Sequence, residues 1–209
     1  GEAGEAEIFL DPNKFREDGT ISLAGISFSK DGSLAAYRIS KGGADWTDAI
    51  VMKTEDKSIV EDTLKNIKFS GIAWKGNEGF YYSTYDKPKG SQLSEKTQFH
   101  KLYYHKLGTP QSSDVMIFGG EKTPRRYISA YLTEDERFLV ITASTSTTGN
   151  ELYVQDLKDP KGKIVTVVDN FDKDHYVVDN EGSRLIIQTN LNAPNNRLVE
   201  VDFTKPSPA

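Results

Sequence analysis

GISFSKDGSLAAY (residues 25–37), GIAWKGNEGFYY (71–82), AYLTEDERFLV (130–140) and VVDNEGSRLII (177–187) are four copies of one arrangement. In each, an apolar strand runs into a short polar turn and returns as a second apolar strand. The turn positions Gly32, Gly79, Glu136 and Gly182 follow one another at intervals of 47, 57 and 46 residues. Glycine suits such hairpin turns because it takes positive φ at little cost. A period of this length, with four short strands per unit, predicts the blades of a β-propeller.

Further strands follow each hairpin. The third strands are similar to one another: Lys101-Leu102-Tyr103-Tyr104-His105, Glu151-Leu152-Tyr153-Val154-Gln155 and Arg197-Leu198-Val199-Glu200-Val201. The predicted blades cover residues 20–64, 69–119, 127–169 and 175–203. The first closes with a fourth strand around Ser58-Ile59-Val60. The last has three visible strands. Residues 1–10 read as the end of a preceding blade, with Ile8-Phe9-Leu10 as an orphan strand before the turn Asp11-Pro12-Asn13. Residues 63–68 are the one stretch with the look of a helical turn, and 86–99 form a long polar insertion. The fold class is all-β, a partial propeller of about four four-stranded antiparallel blades. The low-complexity start GEAGEAE and the tail Thr204-Lys205-Pro206-Ser207-Pro208-Ala209 read as boundaries of a fragment. End blades without neighbours predict exposed edges and self-association.

Composition narrows the function. The net charge is −5, with 26 basic and 31 acidic residues well mixed, so there is no basic stripe for nucleic acid. Cysteine is absent, which excludes a disulfide scaffold, a cysteine nucleophile and a thiolate metal site. No run approaches the ~18 apolar residues of a membrane span. Cytoplasm and periplasm both stay open.

A search for chemistry finds no catalytic residue. The string nearest to a nucleophile turn, Gly25-Ile26-Ser27-Phe28-Ser29, lacks the second glycine and sits on a predicted strand. The histidines are His100, His105 and His175, and none has metal-ligand spacing. Asp169, Asp172, Asp174, Asp179 and Glu181 miss the calcium-loop spacing and read as turn and cap residues. No metal or cofactor is expected. Nothing selects a carboxylate pair for glycoside hydrolysis. The aromatic residues Phe80, Tyr81, Tyr82, Tyr85, Tyr103, Tyr104, Tyr127 and Tyr131 are mostly core, while those at loop ends offer an apolar face to a ligand.

Several strings in order make the chain resemble the propeller of the prolyl oligopeptidases. They are Ile8-Phe9-Leu10-Asp11-Pro12-Asn13, Phe28-Ser29-Lys30-Asp31-Gly32, Gly43-Ala44-Asp45-Trp46, Lys68-Phe69-Ser70-Gly71-Ile72-Ala73-Trp74, Leu102-Tyr103-Tyr104-His105-Lys106-Leu107-Gly108-Thr109 and Ala193-Pro194-Asn195-Asn196-Arg197-Leu198. The resemblance spans essentially the whole chain. It implies a serine peptidase that cuts short peptides after proline, in which a seven-bladed propeller gates an α/β-hydrolase domain. The hydrolase domain would be this chain's partner and proline-containing peptides its ligands. The triad belongs to that domain, so the resemblance implies a non-catalytic chain. It also implies a substrate-pocket role for Tyr81, where the family usually has Phe, for Tyr127, where some members have Met, and for the loop 144–149 with Ser146. Arg125 and Arg126 stand beside these and could face a peptide's acidic end. The alternative is a stand-alone propeller module that binds peptides or proteins at its loop ends.

Overall fold

A computed structural model describes residues 4–86 and 98–205. The insertion expected at 86–99 lies, from 87 to 97, outside the described residues. So do the first three residues and the last four of the tail.

Among the described residues, fifteen strands form four antiparallel sheets that are consecutive in sequence. The first blade holds β1 (Ile21–Phe28), β2 (Leu34–Lys41), β3 (Trp46–Lys53) and β4 (Leu64–Lys68). The second holds β5 (Ile72–Lys75), β6 (Gly79–Thr84), β7 (Lys101–Lys106) and β8 (Val115–Gly119). In the third are β9 (Tyr127–Leu132), β10 (Phe138–Ser144), β11 (Glu151–Asp156) and β12 (Val165–Val168). The fourth has three strands, β13 (His175–Glu181), β14 (Arg184–Thr189) and β15 (Arg197–Asp202). Within every blade the strands pair in sequence order, and β5 of the second blade touches both β1 and β9.

Period-2 alternation places successive residues on opposite faces of a blade, and a blade between two neighbours must be apolar on both. Phe80 and Tyr82 of β6 join Ala36, Val51, Leu64 and Ile67 in a core between the first and second blades. Tyr81, one residue out of phase, joins Leu102, Ile128, Leu139 and Ile141 between the second and third. Phe138, Val140, Leu152, Val177, Leu185 and Ile187 fill the next interface. Each fully buried large side chain contributes about 1.5–3 kcal/mol relative to leaving it in water. These three cores repeat because the strands repeat.

Three local readings are corrected. The segment Ile8-Phe9-Leu10 pairs with no strand among the described residues. Phe9, Leu10 and Phe15 instead cover Ala35, Tyr37, Ile39 and Met52 on the outer face of the first blade. The expected helical turn at 63–68 is the strand β4. Asn66 has φ +58, and the pairing with β3 slips between Thr47 and Ala49, so Leu64 and Ile67 point inward together at a helix-like spacing of three. The fourth strand expected at Ser58-Ile59-Val60 is a single bridge from Ile59 to Met52.

Gly79 is glycine for a different reason. Its φ is not positive, whereas Gly32, Gly182 and even Glu136 are left-handed in the other turns. A Cβ on Gly79 would lie 2.1 Å from the His105 carbonyl oxygen, so close approach of β7 is what demands glycine there.

The strand registers sort the connections onto two rims. The lower rim carries the hairpin turns, which come in two alternating kinds. Ser29 donates from Oγ to Asp31, and Asp31 accepts from the Ser33 backbone N–H. Thr133, Asp135 and Arg137 repeat this pattern. The Asn of each Asn-Glu-Gly turn then donates to the carboxylate in the turn of the blade before it, Asn77 to Asp31 at 2.7 Å and Asn180 to Asp135 at 3.1 Å. The upper rim gathers the ends of β4, β6, β8, β10 and β12.

Candidate functional site

At the upper rim Phe69 directly follows β4, and Tyr127 opens β9. Both rings are exposed, at 43% and 48%. Their centroids are 5.7 Å apart in an edge-to-face arrangement of 69°. Tyr85, just past β6, meets Phe69 edge-on at 6.3 Å. Phe69 has φ +53. A left-handed conformation costs a non-glycine residue about 1–2 kcal/mol, so it persists only where the surroundings hold it.

Three contacts do the holding. The Lys68 ammonium sits 5.0 Å from the centroids of both Phe69 and Trp46. The Tyr85 ring stacks at 4.5 Å on His100. His100, wholly buried, accepts at Nδ1 from the Ile128 backbone N–H (2.9 Å) and donates from Nε2 to the Lys68 carbonyl (2.9 Å). One donor and one acceptor require the neutral Nε2–H imidazole. Burial agrees, pushing its pKa down from 6.5 to about 4 against the opposing Lys68 hydrogen bond.

The residues singled out in the sequence separate here. Tyr127 stands on the rim. Arg125 is exposed beside it with φ +58, its backbone N–H donating to the Gln98 carbonyl at 2.8 Å. Its guanidinium has no ion-pair partner among the described residues. Arg126 is engaged: its fork reaches both Glu151 oxygens at 3.1 and 3.3 Å, and it lies 4.4 Å over the Phe171 ring. It ties β11 to the rim and is not a free cation. Ser146, exposed in the β10–β11 loop, donates to the Thr148 carbonyl at 3.0 Å. That loop adjoins Tyr127, because Ser144 pairs with Tyr127. Its far end is fixed at Gly149, whose missing side chain lets the Phe171 carbonyl come within 1.8 Å of where a Cβ would be. Tyr81 is elsewhere. It is 6% exposed, packs at 4.9 Å against Tyr104 with the rings tilted by 49°, and burial pushes its hydroxyl pKa up to about 12. It belongs to the interface of the second and third blades.

Phe69 is absent from the residues that the sequence singles out. The available signal is an aromatic placed between a strand end and the turn pair Ser70-Gly71, where a merely structural ring has no reason to be.

On the lower rim a second polar group joins the first two blades. His105 Nδ1 is 2.7 Å from Asp114 and Nε2 is 3.0 Å from Glu61, with all three side chains buried. Tyr82 donates to the other Asp114 oxygen at 2.7 Å. His175, by contrast, has Nδ1 3.1 Å from the Lys173 carbonyl and a buried Nε2 without a partner among the described residues.

Blades stepping side by side, with loop-end aromatics raised on one rim, define a β-propeller. The family model described as prolyl oligopeptidase, N-terminal beta-propeller domain, matches residues 1–209, and the chain belongs to that family. It is 51% identical over 99% of its length to the prolyl endopeptidase of Elizabethkingia miricola, and 53% identical over 98% to that of Elizabethkingia meningoseptica. It spans 29% of the length of each. Among solved structures, it superposes with a TM-score of 0.86 on prolyl oligopeptidase B of Galerina marginata bound to a 35-residue hydrolysis and macrocyclization substrate. That match has 28% identity and covers 97% of this chain and 30% of the other. A prolyl endopeptidase structure analysed for inter-domain dynamics gives 0.85 at 30% identity, over 100% of this chain and 30% of the other.

Proposed function

We propose that this chain is the opening part of the substrate-gating propeller of a prolyl endopeptidase, a serine peptidase acting on short peptides after proline. In this reading the upper rim faces an α/β-hydrolase domain and lends Phe69 and Tyr127 to the peptide. The observation that carries the rim assignment is the exposed edge-to-face pair Phe69–Tyr127 on a strained backbone. A pyrrolidine ring fits such a pair because its apolar methylenes pack on aromatic faces. Arg125 adds a cation at the edge of the same surface. The 144–149 loop with Ser146 borders it. Tyr81, buried between blades, supports the second blade and meets no ligand.

The test is a chimera in which this chain replaces the matching segment of the Elizabethkingia miricola prolyl endopeptidase. The chimera is expected to cleave a blocked Gly-Pro amide. In it, Phe69→Ala is expected to raise KM about tenfold, a loss of ~1.4 kcal/mol in substrate binding, with little change in kcat. A folded chimera without activity, or Phe69→Ala without effect on KM, would overturn the reading. By itself the chain is expected to be inert toward the same substrate. Turnover blocked by a serine-directed phosphonate would contradict that.

Self-association belongs to the same reading. Tyr176, Val178 and Leu198 leave the outer face of the fourth blade apolar and exposed. Light scattering at micromolar concentration is expected to show a dimer that Val178→Lys dissociates.

A further inference from the structure

We infer that His100 is the positioning residue of the upper rim: its two ring nitrogens tie the backbone beside Phe69 to the backbone beside Tyr127 and so set the gap between the two rings. The inference rests on the proposed role of that pair in peptide binding.

The geometry spans three blades. Lys68, at the end of the first blade, precedes Phe69. Ile128, in the first strand of the third, follows Tyr127. His100 stands between them, immediately before β7 of the second blade, and bonds to both at 2.9 Å. Gly120 N–H in turn donates to the His100 carbonyl, also at 2.9 Å, so the backbone of the clasp is itself fixed. The Tyr85 ring stacks on the imidazole and meets Phe69 at its edge. One buried ring therefore touches the Lys68 carbonyl, the Ile128 N–H and the Tyr85 ring.

The corresponding place in the third blade is taken by Asn150, immediately before β11. Asn150 accepts from the His175 N–H and donates to the His175 carbonyl, each at 2.8 Å. That clasp joins two neighbouring blades and stops there. An amide suffices where the two backbone groups belong to one residue. At residue 100 they belong to different blades, and the longer imidazole with nitrogens on opposite sides bridges them. An apolar ring of equal size would stack on Tyr85 as well, but it would leave a buried carbonyl and a buried N–H unpaired. The left-handed Phe69 would then lose the bond that fixes the peptide before it.

The test uses the 209-residue chain, carbon-13 labelled in its aromatic rings, with N-blocked Gly-Pro as probe and N-blocked Gly-Ala as control. The readouts are the Phe69–Tyr127 ring-to-ring Overhauser contact and the probe's Kd. In the unaltered chain the contact is expected, with preference for the prolyl probe. His100→Leu is expected to lose the contact and weaken the prolyl probe at least tenfold. His100→Gln, whose amide also carries one donor and one acceptor, is expected to restore both. Should His100→Leu fail to fold, His100→Asn, too short to span both groups, takes its place with the same expectation. A folded Leu or Asn variant that keeps the contact and the affinity overturns the inference. If no variant binds the prolyl probe but the contact still follows residue 100, the positioning role stands and the peptide-binding reading falls. If the prolyl probe binds equally to all variants, the reverse holds.

Discussion

His105→Leu is expected to destabilise the protein by about 3–5 kcal/mol, the usual cost of stranding one side of a buried ion pair. Glu61 and Asp114 approach opposite nitrogens of the ring, and their side chains are 7% and 2% exposed. Two acceptors require two N–H donors, so the bonding pattern calls for the imidazolium. Burial opposes that charge, but the Asp114 hydrogen bond and the two carboxylates outweigh it and raise the pKa. The stability His105 contributes is therefore fully present below the ordinary imidazole value near 6.5 and is lost as pH rises through the folded-state value. Removing the ring leaves two carboxylates facing each other across the first and second blades. The measurement is a denaturant midpoint for the wild type, for His105→Leu, and for His105→Leu with Glu61→Gln and Asp114→Asn. The triple variant is expected to recover much of the loss, because no buried charge is left over. A His105→Leu midpoint equal to wild type at pH 6 would show that the carboxylates do not depend on the ring.

His100 is expected to act in the opposite sense and to set the acid limb of stability. Its folded-state pKa is about 4, below the ordinary 6.5. Between these values the unfolded chain binds the proton and the folded one does not, so stability falls as pH drops from 6.5 and levels off below 4. The difference of about 2.5 pH units corresponds to ~3 kcal/mol. The structural reason is specific: protonated Nδ1 can no longer accept from the Ile128 N–H, and two donors would face each other in a dry site. Stability curves for wild type and His100→Gln, measured from pH 7 to 3.5, are expected to differ in slope, the wild type falling relative to the variant between pH 6.5 and 4, since glutamine does not titrate. Parallel curves would exclude His100 as the source.

The fold was legible because its strongest signal is periodic. Four hairpins of alternating apolar residues recur at a nearly fixed interval, and tertiary packing only reinforces that pattern. What escaped depends on single backbone angles. The bulge at Asn66 disguises β4 as a helical turn by giving Leu64 and Ile67 a spacing of three. At Gly79 the cause is a neighbouring carbonyl from β7, which a local turn reading does not contain. The candidate site was half legible. Tyr127, Arg125 and Ser146, singled out in the sequence, lie on one rim. Arg126 is there too, but bound to Glu151. Tyr81 follows from alternation: with Phe80 and Tyr82 facing the first blade, it must face the third, and a strand with both faces covered offers nothing to a ligand. Phe69 escaped because its exposure comes from a left-handed backbone that no propensity favours for phenylalanine.

The unequal ends of the array bear on how the molecule is made. Phe9, Leu10 and Phe15 cap the first blade with residues that leave the ribosome before it does. Each later blade then lays its sheet on the one already finished, through a core shared only with that neighbour. As these blades are synthesised, each later one therefore finds a finished sheet to lie on. Across these four blades, translation order and burial order coincide.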